Sequence, residues 1–165
     1  MDCKTVRQTC LHMAIQMLPQ DANPMGNVHG GVIMKHIDEA AGVTATRHAR
    51  RPSVTASLDR LDFHYPVFVG NLLILKASVN MVGRTSMEVG VRVEAEDLRT
   101  GLVRHTASAY LTFVALDDNA RPTPVPPLTL ESDEERRRHQ EALNRRQTRL
   151  AEKASEHDSA PQCEP

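Results

Sequence analysis

Tryptophan is absent and aromatic residues make up only 3% of the 165-residue chain. No aromatic cluster can organise the core, so Val, Leu, Ala and Met must fill it. The three cysteines, Cys3, Cys10 and Cys163, are odd in number, far apart and without metal-ligand spacing. That excludes a disulfide framework and favours a reducing, cytoplasmic setting. No apolar run approaches the roughly 20 residues of a membrane span. The opening Met-Asp-Cys-Lys-Thr-Val-Arg-Gln lacks the apolar centre of a secretory leader. Charge of one sign is missing too. Lys and Arg number 20, Asp and Glu 21, for a net charge of −1. Neither nucleic acid nor an anionic membrane surface has an electrostatic case. Arg136, Arg137 and Arg138 look basic only until Asp133, Glu134, Glu135 and Glu141 are counted. No internal repeat is present.

What is present suits one domain with a real core. Residues 1–130 read as that domain, 131–152 as a charged helix opened by Ser132 and three acids, and 153–165 as a disordered tail. The charged helix has few apolar residues, so only light docking is expected.

The domain is organised around Asp21 to His48. A polar loop punctuated by Asn23-Pro24, Gly26, Gly30 and Gly31 feeds a helix expected over Val32 to His48. Ile33, Ile37, Ala41, Thr44, Ala45 and His48 share one face at helical period. Most are small or medium, so neighbours must pack close. Before this helix, Lys4 to Leu18 reads as a strand ended by Pro19, with a helix as the competing reading. After it come four strands: Ser53–His64, then alternating runs from Leu73 to Met81, Met87 to Ala95 and Leu102 to Leu116. In the first of these, apolar parity switches near Asp59-Arg60, which predicts a bulge. Short connections imply antiparallel pairing. The fold class is therefore α+β, an antiparallel sheet with one long helix on its face. One helix cannot cover such a sheet, so at least a homodimer is expected.

Two adjacent carboxylates on the helix have different surroundings. Glu39 lies a turn after Lys35 and beside His36, on a polar edge. Asp38 has Met34, Ala41 and Gly42 as helical neighbours and borders the apolar face. A carboxylate against apolar surface gains basicity, which suits a general base or nucleophile, although a surface cap or salt bridge would need the same residue. Gly30 and Gly31 open the helix, where backbone N–H groups and the dipole can hold an oxyanion. Asn23 is either a turn former or an amide for water or a carbonyl. Arg84-Thr85-Ser86 is either a solvated hairpin tip or a contact for phosphate and pantetheine.

Several separated motifs resemble one family. Asn23-Pro-Met-Gly-Asn-Val-His-Gly-Gly-Val-Ile-Met-Lys-His-Ile-Asp-Glu-Ala-Ala-Gly42 is similar to the helix motif of hotdog-fold acyl-CoA thioesterases, in the cytosolic acyl-CoA hydrolase branch. Val54 to Asp59, Gly83 to Val89, Phe113 to Asp117 and Arg121 to Pro126 continue the likeness in order, from about Met17 to Leu128. The resemblance implies a sheet of five to six strands wrapped round one central helix, and dimers whose sheets join edge to edge. It also implies assembly of three dimers into a hexamer. It makes Asp38 the catalytic carboxylate, with Asn23 supplied by the neighbouring subunit. The oxyanion N–H belongs to Gly31 or Gly30. Thr55 to Ser57 lie by the interface and substrate, and Arg84, Thr85 and Ser86 by CoA. The implied reaction is hydrolysis of acyl-CoA, medium to long chain over a broad range, with no metal and no cofactor beyond the CoA of the substrate.

Two rivals share the fold. A hotdog enoyl-CoA hydratase needs a His where Gly26 stands, five residues after Asp21. Asp59 and His64 have that spacing but lie on a strand. A non-catalytic acyl-CoA-binding module would fit if the carboxylate were missing, and Asp38 is present.

Overall fold

The computed structural model describes residues 2–159. In order, the chain forms β1 (Lys4–Thr5), α1 (Val6–Thr9), β2 (Leu11–Gln16), α2 (Gly30–Ala49), β3 (Ser53–Phe63), β4 (Leu72–Val82), β5 (Ser86–Asp97), β6 (Leu102–Ala115), β7 (Leu128–Thr129) and α3 (Asp133–Ser159). The main sheet has five strands in the order β2-β4-β5-β6-β3, every neighbouring pair antiparallel. β1 and β7 form a separate parallel pair.

Period-two alternation decides which face of the sheet is inside. β4 buries Leu73, Leu75, Ala77 and Val79; β5 buries Met87, Val89, Val91 and Val93; β6 buries Ala107, Ala109, Leu111 and Phe113. Across this surface lies α2, which turns Ile33, Ile37, Ala40, Ala41 and Ala45 into the same core. Its small residues let the helix sit close to the strands. The two glycines expected to precede the helix form its first turn instead. Arg50 ends it in the left-handed region, at φ 53°. Lys4 Nζ donates to the carbonyls of Arg47, 3.1 Å, and His48, 2.6 Å, placing a cation at the negative end of the dipole. No helix among the described residues is long and apolar enough to cross a membrane.

His48 is fully buried. Its Nε2 donates to the Pro126 carbonyl at 2.9 Å and its Nδ1 has no partner among the described residues. Burial, reinforced by nearby Lys4, pushes the imidazole below its usual 6.5 against the opposing pull of the Pro126 bond. The fold therefore prefers neutral His48. Its contribution is fully present above the unfolded value and is lost as pH falls through the lowered folded value. We expect the urea midpoint to drop between about pH 7.5 and about pH 5.5. In His48→Gln, whose amide can still donate to Pro126, the drop is smaller. His105, also lowered by burial and by Arg92, accounts for part of what remains. An unchanged drop in His48→Gln would remove His48 from this account.

Two expectations need correction. The segment from Lys4 to Leu18 is not one strand. β1 pairs with β7, a single helical turn follows, and only Leu11–Gln16 joins the sheet. Arg47 of α2 donates to the Cys10 carbonyl at 2.7 Å and fixes the break. Second, α3 is firmly docked and continues to Ser159, past the end expected at 152; residues 160–165 of the expected tail lie outside the described residues. The helix start is as expected, with Ser132 Oγ accepting from the Glu135 N–H and Glu135 reaching back to the Ser132 N–H. The docking is polar. Glu88 on β5, 1% exposed at its side chain, accepts from Arg145 of α3 at 2.7 and 3.1 Å and from Asn80 at 3.1 Å. The Arg145 guanidinium lies 3.7 Å from the Tyr110 ring centroid. His139 donates to the Asn80 carbonyl at 3.0 Å, and Ala142 is buried between. Gly90 is required here, because a Cβ would stand 2.6 Å from Asn80 Nδ2.

Candidate active site

Asp38 sits on the third turn of α2 and is exposed in the single chain. Thr55 Oγ1 on β3 donates to Asp38 Oδ1 at 2.6 Å. A short bond from a hydroxyl orients one carboxylate oxygen, and the other makes no hydrogen bond among the described residues. Both elements also carry exposed apolar side chains. Met34 and Val43 of α2, with Val54 and Leu58 of β3, are 41% to 47% exposed. β3 is an edge strand, paired to β6 on one side only. Met34 lies one helical turn before Asp38 and is exposed. Glu39 lies apart, bonded to His36 at 2.9 Å and 3.7 Å from Lys35, on the polar edge.

At the other end of the site, the start of α2 is arranged differently from the expectation. His29 caps the helix, and its Nδ1 accepts from the Gly31 N–H at 2.9 Å. The Gly31 donor is thus occupied. The Gly30 N–H makes no hydrogen bond among the described residues, and it is the open donor of the first turn. A Cβ on Gly30 would meet the Phe63 ring at 3.7 Å, so that ring flanks the open N–H.

Asn23 adopts the turn-forming arrangement. Its Oδ1 accepts from the N–H groups of Met25, 2.9 Å, and Asn27, 3.3 Å. Its Nδ2 makes no hydrogen bond among the described residues, so its free chemistry is that of a donor.

Arg84-Thr85-Ser86 forms the β4–β5 turn, with Arg84 exposed. The turn backbone is held by bonds from the Ala115 N–H to the Thr85 carbonyl, 3.0 Å, and from the Val125 N–H to the Arg84 carbonyl, 3.1 Å. Register places it at the end of the sheet that carries Thr55, since Ser86 pairs with Val114 and Thr55 with Phe113. Arg146 of α3 lies over this turn, 3.2 Å from where a Cβ on Gly83 would be. Sequence reading had no signal for that residue. Ser57 Oγ donates to Asp59 Oδ1 at 3.0 Å on the same strand as Thr55. The fold thus joins Asp38 to Thr55 and sets the Arg84–Ser86 turn at the same end. It leaves Asn23, Gly30 and Gly31 at the helix start, without contact to Asp38.

The family model of the thioesterase superfamily matches residues 25–102. VdlD of Helicobacter pylori is 41% identical over 145 residues, spanning 88% of this chain and 83% of that protein. A hexameric acyl-CoA thioesterase without ligand superposes with a TM-score of 0.90 and 38% identity, covering 93% of this chain and 99% of that one. An acyl-CoA hydrolase of Staphylococcus aureus, in complex with butyryl-CoA and CoA, superposes at 0.88 with 36% identity over 95% and 96% of the two chains. Other structures of that hydrolase carry Ala for an Asn, an Asp and a Thr, spaced 15 and 17 residues apart, as Asn23, Asp38 and Thr55 are spaced here. By this agreement of sequence and fold over nearly its whole described length, the chain belongs to the thioesterase superfamily, among its hotdog-fold acyl-CoA thioester hydrolases.

Proposed function

We propose that the protein hydrolyses acyl-CoA thioesters to the free acid and CoA, in sites assembled between two copies of the chain. One observation carries the second half of that reading. The open Gly30 N–H and the Asp38 carboxylate are eight residues apart on one straight helix, about 12 Å of rise. A thioester carbonyl must lie within about 3 Å of its oxyanion donor, and its attacking water within about 3 Å of the base. The two groups of one chain are too far apart to serve one carbonyl. A second copy, paired along the open edge of β3, brings its own Asp38 to the first copy's helix start and covers Met34, Val43, Val54 and Leu58. Three such dimers make the hexamer we infer, in keeping with the hexameric neighbour.

In this site the carbonyl oxygen of the substrate rests on the Gly30 N–H and on Asn23 Nδ2, two donors without a partner among the described residues. Asp38 of the other copy, oriented by Thr55, takes a proton from water as it attacks, or attacks the carbonyl itself. The tetrahedral intermediate expels CoA as thiolate, a leaving group good enough to need no dedicated acid. Arg84, Thr85 and Ser86, with Arg146 over them, face the phosphates and pantetheine. No cofactor takes part. A single turnover in heavy-oxygen water separates the two roles of Asp38, since label entering its carboxylate marks a nucleophile.

The reading is tested with the wild-type protein by following thiol release across acyl-CoA from acetyl to palmitoyl. Turnover, strongest at medium to long chains, is expected; binding without release at every length would make the protein a non-catalytic acyl-CoA module. Shared sites have their own test. Asn23→Ala and Asp38→Asn proteins, each inactive, are unfolded, mixed and refolded. Hybrid dimers carry one intact site, so random reassembly restores roughly a quarter of wild-type turnover. No restoration would mean that Asn23 and Asp38 of one chain act together.

A further inference from the structure

β3 is poorly suited, by itself, to hold a catalytic partner still. It is an edge strand, and its register with β6 shifts twice, between Thr55 and Ser57 and again between Leu58 and Arg60. Each bulge removes ladder bonds from the segment just after Thr55. Yet Thr55 makes the bond that orients Asp38. Something outside the sheet must fix that segment. Ser57 Oγ donates to Asp59 Oδ1 at 3.0 Å, and Arg149 of α3 donates to Asp59 Oδ2. Both ends of this ion pair are shielded, at 15% and 9% side-chain exposure for Arg149 and Asp59. Arg149 lies one helical turn beyond Arg145, whose pair with Glu88 anchors α3 to the middle of the sheet. The sheet centre, α3 and the bulged edge are thereby linked through two guanidinium groups.

We propose that Arg149 is a positioning residue for the hydrolysis, holding Asp59 and Ser57 so that Thr55 keeps Asp38 aimed. The proposal rests on Asp38 being the catalytic carboxylate. Loss of the clip lets the bulged segment move. The Thr55 bond to Asp38 then loosens, and the carboxylate loses its fixed aim. The cost falls on kcat, because the thioester and CoA contacts lie elsewhere.

The test is kinetic. Arg149→Ala lowers kcat roughly ten-fold with KM nearly unchanged. Arg149→Lys, which keeps the charge, restores most of the rate. Asp59→Asn, made from the other side of the clip, reproduces the loss while leaving α3 intact. The control Arg137→Ala breaks an exposed pair with Glu141 on the same helix and leaves kcat as in wild type. Decisively, in a Thr55→Val background, Arg149→Ala costs nothing further, because its route to Asp38 is already gone. A full additional loss in that background, or wild-type kcat in folded Arg149→Ala and Asp59→Asn proteins, overturns the proposal. If instead Asp38→Asn retains wild-type activity, it is the functional reading that fails, and the two outcomes are distinguishable.

Discussion

Asp38→Asn lowers thiol release from palmitoyl-CoA by about 10²- to 10⁴-fold, with KM little changed. The amide is nearly isosteric, and its Oδ1 still accepts the Thr55 hydroxyl that Asp38 accepts at 2.6 Å. Geometry is therefore preserved, and only the capacity to take a proton or to attack is lost. Thr55→Val keeps the carboxylate but frees its orientation, so its loss is smaller, about ten-fold. The order Asp38→Asn, then Thr55→Val, then wild type is the specific expectation. Glu39→Gln, on the polar edge with Lys35 and His36, leaves the rate unchanged. Equal rates in Asp38→Asn and wild type would remove Asp38 from the reaction, and a large loss in Glu39→Gln would make Glu39 the reacting carboxylate.

Arg145→Ala destabilises the protein by about 3 kcal/mol, measured as the shift in urea unfolding. Glu88 is 1% exposed at its side chain and Arg145 20%. Removing the guanidinium leaves a carboxylate under α3 with only Asn80 Nδ2 to compensate it. An uncompensated buried charge costs more than the pair contributes when intact. Removing both charges together, as Glu88→Leu with Arg145→Leu, therefore recovers much of the loss. The double substitution being less harmful than Arg145→Ala alone is the signature of this mechanism. Simple addition of two independent losses would contradict it, as would a wild-type midpoint for Arg145→Ala.

Much of the fold could be read from local pattern. The buried face of α2 includes Ile33, Ile37, Ala41, Thr44, Ala45 and His48, all at one helical period. The strands Leu72–Val82 and Ser86–Asp97 bury their alternating apolar residues, with Asn80 and Glu88 buried besides, and the parity switch at Asp59-Arg60 coincides with a register shift. The docking of α3 could not be read this way. Arg145 and Arg149 look like solvated helix residues, and their partners Glu88 and Asp59 are 57 and 90 residues away. An ion pair between distant elements leaves no period in either segment. The N-terminal break was hidden for the same reason, since it depends on Arg47 reaching Cys10 from another element.

The site divides along the same line. From sequence alone the chain separated Asp38 from Glu39, because helical neighbours at three and four residues are set by backbone geometry. It also marked the helix start, where backbone donors are unpaired, as a candidate place for an oxyanion. Which N–H is open could not be read there. His29 takes the Gly31 donor at 2.9 Å and leaves that of Gly30, a choice made by one side-chain torsion. Likewise Asn23 carries both an acceptor and donors in any sequence, and only the turn to Met25 and Asn27 occupies the acceptor. Local periodicity and composition determined the elements and their faces, and set Asp38 apart from Glu39. Tertiary structure decided which polar groups are already satisfied, and so which remain free for chemistry, because hydrogen bonds and ion pairs act over a few ångströms between residues that the chain brings together only on folding.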